Sequence, residues 1–112
     1  MNKHIQEQKT KEEIMTVKFT ARHFEASQQL KDYAYEAVEK LPQYFDRIIS
    51  CDIVLEPSAA IKKPQKAEIQ IKVPNKVLKA EERAEKYEQA ISKAVENLAR
   101  QLKRYKEKKF AH

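Results

Sequence analysis

The chain reads as a single α+β domain of order β-α-β-β-β-α, with four strands in a mainly antiparallel sheet and two helices packed on one of its faces. Two patterns predict it. In two stretches apolar residues recur at spacings of three and four, as on a half-buried helix; in four others they alternate with polar ones, as on a half-buried strand. The length of 112 residues suits one core and is short for two ordinary domains. Charged residues make up 36% of the chain, but 41% are apolar, and the patterning after Thr16 argues against disorder there.

Residues 1–15 are polar and aperiodic, so a disordered N-terminal leader that carries no fold is expected, with Met15 as an alternative start. One domain is expected over residues 16–109, followed by a short tail, 110–112. Residues 16–22 alternate, with Val17, Phe19 and Ala21 on one face. Ser27 has the character of an N-cap, its hydroxyl able to accept from an amide of the first turn. Leu30, Tyr33, Ala34, Ala37, Val38 and Leu41 form the buried stripe of a first helix that ends near Pro42. Its outward face, Asp32, Glu36 and Glu39, is acidic.

A second strand over residues 48–56 places Ile49, Cys51, Ile53 and Leu55 on one side. The loop PSAAIKKPQ leads to the clearest alternation in the chain, residues 66–73, with Ala67, Ile69, Ile71 and Val73 inward. Pro74 and Asn75 connect it tightly to a fourth strand, residues 76–82, and the last helix is expected to begin between residues 83 and 86. Tyr87, Ala90, Ile91, Ala94, Val95, Leu98, Leu102 and Tyr105 form its core stripe. Tyr44 and Phe45, just beyond the first helix, are expected to close the core, with stacking on nucleic-acid bases as the alternative, and Tyr105 is expected to end the core stripe.

Composition excludes several functions. Glycine is absent, which removes phosphate-cradling glycine loops and the G-x-S-x-G nucleophile elbow. His4, His23 and His112 lack ligand spacing, so no metal and no cofactor are expected. The carboxylates lie on lysine-rich faces, and no catalytic residue is assigned. Cys51 has no intrachain partner and reads as a small buried thiol. With no signal peptide and no apolar run of about 20 residues, neither export nor a membrane is indicated, and a cytoplasmic location is expected.

What remains is charge. Residues 97–112 carry six Lys or Arg against Glu107, which is +5 of the chain's net +6. On the last helix Lys86, Lys93, Arg100, Arg104 and Lys108 fall within roughly 80° of one another, turned away from the core stripe. Lysine-rich helix faces also serve solubility, and cations in a last turn complement the helix dipole by roughly 0.3–1 kcal/mol each. Dipole complementarity does not explain Lys86, Lys93 or Arg100, which lie far from the last turn. A cationic stripe on a rigid helix suits phosphates.

The run LPQYFDRIISCDIVL (residues 41–55), together with YEQAISKAVENLARQLKRYKEK (residues 87–108), resembles the ribosome hibernation-promoting factor and ribosome-associated inhibitor family, the bacterial protein Y group. The resemblance extends over roughly residues 15–109, and the β-α-β-β-β-α order agrees with that family's fold. It implies a non-enzymatic stress and stationary-phase factor that binds the small ribosomal subunit and its rRNA in the decoding channel, across the ground used by mRNA and tRNA, and reversibly inhibits translation. On the family's basic positions stand Arg100, Arg104, Lys106 and Lys108 of the second helix and Lys31 and Lys40 of the first, and Lys103 adds a charge. Asn97 and Ala37 stand where relatives often carry lysine. Ending at His112, the chain resembles the short hibernation-promoting form, which implies a monomer off the ribosome that favours ribosome dimers with a separate partner factor. Two alternatives stand beside this reading. One is a general double-stranded RNA binder, since helices on one face of an antiparallel sheet also describe such modules. The other is a regulatory module docking an acidic protein.

Overall fold

The computed structural model of the chain describes residues 5–9 and 15–110. Strands β1 (Ile5–Lys9), β2 (Thr16–Ala21), β3 (Ser50–Pro57), β4 (Gln65–Val73) and β5 (Lys76–Ala84) lie in one sheet in chain order. Helix α1 (Gln28–Val38) follows β2, a 3₁₀ turn spans Leu41–Gln43, and α2 (Tyr87–Phe110) ends the described chain. The four expected strands and both helices are therefore present. Only β2 and β3 run parallel; the other neighbours are antiparallel. A parallel pair needs a crossover, and α1 supplies it.

The leader is where expectation fails. Ile5–Lys9 adds a fifth strand at the β2 edge, in register Ile5↔Thr20 through Lys9↔Thr16, and Met15 is 1% exposed, inside the core. Strand addition at an edge is driven by main-chain hydrogen bonds, which a pattern of side chains does not report. The rest of the leader, residues 1–4 and 10–14, lies outside the described residues.

Alternation fixes the sheet's two faces. Val17 and Phe19 of β2, Cys51, Ile53 and Leu55 of β3, Ala67, Ile69, Ile71 and Val73 of β4, and Leu78 and Ala80 of β5 are buried beneath the helices. Leu30, Ala34 and Val38 of α1 and Ala90, Ile91, Ala94, Leu98 and Leu102 of α2 close the core from above. Burial puts the Cys51 thiol deep in apolar surroundings and pushes its pKa up, in keeping with an inert thiol. Phe45 is 4% exposed and meets Tyr105 edge-on at 5.1 Å, so the expected aromatic closure is present.

Two positions depart from the simple period. Ile48 is fully buried while Ile49 is 50% exposed. The strand begins at Ser50, and the turn before it swings Ile48 inward while the Ile49 amide donates to the Lys72 carbonyl at 2.7 Å. In α1, Tyr35 is buried against Phe19 at 6.2 Å, whereas Tyr33 turns out toward α2 and shares a 2.6 Å hydroxyl hydrogen bond with Ser92. The period assigns Tyr33 to the buried stripe, and the position of the neighbouring elements gives Tyr35 to the core instead.

Local chemistry sets the element ends. The Ser27 hydroxyl accepts from the Leu30 amide at 3.1 Å, the N-cap expected of it. Pro42 sits in the first turn of the 3₁₀ segment, where its missing N–H costs nothing. The Pro74–Asn75 turn closes the β4–β5 hairpin with Asn75 at φ 67°. That left-handed conformation favours glycine, and in a glycine-free chain asparagine is the best substitute. β5 runs to Ala84, two residues past the expected end, and α2 starts at Tyr87.

The sheet's outer face is polar and largely self-neutralised. Lys66 pairs with Glu56 at 2.7 Å, Lys79 with Glu68 at 3.2 Å, and Arg83 with Glu81 at 2.9 Å. The Lys66 hydrogen bond is the main cause holding the Glu56 carboxyl below its usual range. Partial burial opposes the shift, and the charges of Lys66, Arg22 and His23 assist it.

Two outcomes are expected. Asn75→Val should destabilise the domain by about 1–2 kcal/mol and Asn75→Gly should not, measured as urea midpoints, because a β-branched residue resists positive φ. A carboxyl depressed on folding stabilises above its unfolded pKa of about 4.3, and this contribution is lost as pH falls through the lower folded value. Glu56→Gln should therefore lower stability modestly at neutral pH and flatten the acid limb of the stability–pH curve below about pH 4, where the two proteins converge.

Candidate nucleic-acid interface

The 24 residues of α2 contain neither proline nor glycine, and at about 1.5 Å per residue they make a rod of roughly 36 Å. Its start is fixed by half of a capping box, the Lys86 amide donating to Gln89 Oε1 at 3.3 Å, and the Lys86 carbonyl accepts the first helical bond from the Ala90 amide at 3.1 Å. Lys86 thus stands just before the helix. The ring of Phe24 stacks on Tyr87 at 4.6 Å and seats this end on the loop after β2.

Packing fixes how α2 is rotated. Its core stripe is centred roughly 120° around the helix from Lys93, Arg100, Arg104 and Lys108, at about 100° per residue. The cations therefore occupy a flank, where a simple two-faced helix would have placed them diametrically outward. A polar ladder identifies which flank. Asn97 Nδ2 donates to Glu82 Oε2 at 3.2 Å, and Gln101 Nε2 donates to Asn97 Oδ1 at 2.8 Å and to the Lys79 carbonyl at 2.9 Å. The stripe runs alongside β5, the outer strand of the sheet.

All of Lys86, Lys93, Arg100, Lys103, Arg104, Lys106 and Lys108 are exposed. Among the described residues, the ion pairs take up Arg22, Lys66, Lys79 and Arg83, all on or beside the sheet, and none of the seven. Among the described residues the ion-paired cations belong to the sheet and its border, and those of α2 are left unpaired. Glu82 and Glu85 precede the first turn, so the positive field is strongest over the C-terminal half.

The nine expected residues separate into groups. Arg104 and Lys108 come together with Lys76 of β5 around a groove of about 460 Å³, lined also by Leu78, Gln101 and Tyr105. Arg100 lies one turn before Arg104 on the same flank, with Lys93 and Lys86 further back. Lys103 and Lys106 face the other way. Lys103 Nζ lies 5.4 Å from the centre of the Tyr44 ring, and Lys106 lines a hollow with Tyr44, Phe45 and Arg47. Lys40 borders an interhelical groove with Glu36 and Glu96, where charge is mixed. Lys31 is half-buried on the flank of α1 that carries Tyr35 toward β2, away from α2, and the fold does not bring it to the stripe. Sequence reading missed Lys76 and Gln101. Lys76 is separated from the stripe by ten residues and a change of element, and only the hairpin register brings it near.

No group of three or more His, Cys, Asp or Glu suited to a metal occurs among the described residues, and no described helix is long and apolar enough to cross a membrane.

The family model described as "Sigma 54 modulation protein / S30EA ribosomal protein" matches residues 17–109. The chain belongs to this family. The chain is similar to the Ribosome hibernation promoting factor of Pseudomonas putida, 31% identical over 94 residues that cover 84% of this chain and 89% of the relative. The Ribosome hibernation promotion factor of Deinococcus radiodurans is 28% identical over 89 residues, 78% of this chain and 47% of that protein. Among solved structures, the Thermus thermophilus Protein Y N-terminal domain aligns with a TM-score of 0.66 at 28% identity, over 78% of this chain and 93% of that one. A ribosomal subunit interface protein from Coxiella burnetii shares the fold, with a TM-score of 0.71 at 17% identity over 80% and 96% of the two chains. This is a family of non-enzymatic hibernation factors, in accord with the family resemblance read from residues 41–55 and 87–108.

Asn97 bridges Glu82 to Gln101. Asn97→Ala should cost about 1 kcal/mol of stability by urea unfolding, because two part-buried hydrogen bonds are lost together.

Proposed function

We propose that this protein binds the small ribosomal subunit through rRNA of the decoding channel, on ground used by mRNA and tRNA, and so reversibly halts translation. The observation that carries the proposal is the unpaired cationic flank of α2 in a family of hibernation factors. Arg100 and Arg104 supply forked guanidinium donors suited to phosphate oxygens, with Lys93 and Lys108 as point charges on neighbouring turns. The rod is already ordered by its core stripe, so binding does not bear the entropy of folding a segment. Attachment by charge is reversible, since counterions compete for the same phosphates. A body bound across the channel excludes mRNA and tRNA by volume, with no chemical step. Lys103 and Lys106, beside Tyr44, form a second contact on the opposite flank. Promotion of ribosome dimers with a separate partner factor belongs to the same proposal and is read in the same gradients.

Co-sedimentation with separated ribosomal subunits at two salt concentrations tests this. About five phosphate contacts should give a log-affinity against log-salt slope near −3.5 to −4.5. Arg100→Glu with Arg104→Glu should abolish migration with the small subunit while leaving the thermal midpoint nearly unchanged, because both side chains are exposed. Full binding by the folded double variant, or binding indifferent to salt, overturns the proposal.

A further inference from the structure

The groove between β5 and the end of α2 differs from the other hollows of the domain. The interhelical groove contains Glu36 and Glu96, and the hollow beside Lys106 contains Asp46. The β5–α2 groove is lined by Lys76, Arg104 and Lys108 with no acid among its lining residues. Its floor is Leu78, 5% exposed, and one wall is Tyr105, whose hydroxyl donates to the Pro74 carbonyl at 2.7 Å and whose ring is braced by Phe45. The other wall is Gln101. Both protons of its amide nitrogen are committed, to the Lys79 carbonyl and to Asn97 Oδ1, which fixes the amide and leaves Oε1 as an acceptor. Three cations, an apolar floor, an aromatic wall and one oriented acceptor are therefore held by a rigid hairpin and a rigid helix.

We propose that this groove is a distinct subsite that takes one nucleotide of a single-stranded RNA segment, its phosphate between Lys76, Arg104 and Lys108 and its sugar and base against Leu78 and Tyr105. The inference rests on the ribosomal RNA-binding reading and extends that surface from the helix onto the sheet edge. The cations fix the ligand's charge as anionic. The cavity of about 460 Å³ lies in the range of sites for small ligands and admits a nucleotide unit, while a continuous duplex cannot lower a base into it. The apolar and aromatic walls match the faces of sugar and base, as in other single-strand binders. Gln101 Oε1 is placed to accept from a base N–H. Lys76 therefore anchors RNA although it belongs to neither helix.

Lys76 is the residue by which to separate groove from stripe, since it is exposed and carries no ion pair among the described residues. Lys76→Gln and, as a control, Lys72→Gln on the outer face of the sheet are titrated with a mixed-sequence single-stranded RNA and with small ribosomal subunits over a series of salt concentrations. Lys76→Gln should weaken binding several-fold and reduce the salt slope by about one, and Lys72→Gln should change neither. In the unaltered protein the same RNA should shift the Gln101 side-chain amide and the Leu78 backbone amide in NMR spectra, a readout independent of any substitution. Equal behaviour of the two variants, or unmoved Gln101 and Leu78 resonances on saturation, overturns the groove and leaves the stripe standing. Absence of salt-dependent binding by the unaltered protein overturns both. Tighter binding of a blunt RNA duplex than of the single strand overturns the choice of ligand.

Discussion

The rotation of α2 about its own axis is the constraint on which the rest of the molecule depends. Ala90, Ala94, Leu98 and Leu102 are fully buried against the sheet, and the small alanines let the helix axis approach β4 and β5 closely. Once those positions face inward, every other residue of the helix has its direction assigned at about 100° steps. The Asn97–Glu82 and Gln101–Lys79 hydrogen bonds lock the same rotation from the side. Turning the helix by one residue's worth of angle would expose part of the apolar stripe and break this ladder together, so the two kinds of interaction reinforce a single arrangement.

Charge follows from that arrangement. The strands carry alternating acids and bases, and cross-strand neighbours neutralise them, as Lys66 does with Glu56 and Lys79 with Glu68. A helix can neutralise itself only through residues three or four apart. In the C-terminal half of α2 the acids at such spacings are Glu96, four before Arg100, and Glu107, three after Arg104; neither forms an ion pair, and Arg100, Arg104 and Lys108 remain unpaired among the described residues. The molecule thus has a nearly balanced sheet face and one strongly positive corner, where the end of α2 meets the β4–β5 hairpin. A polyanion meets no opposing acid in the groove at that corner.

The absence of glycine shows how far local chemistry can be replaced. A turn that favours glycine is made with Asn75 at positive φ, and α1 ends without a glycine cap, its last amides accepted by Tyr35 and Ala37 carbonyls ahead of Pro42. Helix ends and the hairpin are therefore defined by hydrogen bonds and proline, a stiffer set of constraints than glycine turns would give. Stiffness suits a surface whose cations are already in place before a partner arrives.

Much of this was legible in the residues themselves. Period-2 and period-3.6 patterns identified four strands and both helices, Ser27 declared its cap, and the charge count located the basic helix, because each signal is carried by neighbours within a few residues of one another. The failures share a cause. The strand at Ile5–Lys9 depends on a β2 edge made elsewhere in the chain, and the exchange of Ile48 for Ile49 depends on a turn meeting Lys72. Lys31 and the α2 stripe share a sign but lie on flanks that only the packing of two helices separates. The sequence by itself determined four strands, both helices, most of the buried set and the sign of the charge, since periodicity and composition are local. Tertiary structure alone decided which flank of α2 carries that charge and that Lys76 joins Arg104 and Lys108, since helix rotation and hairpin register are settled only when the core closes.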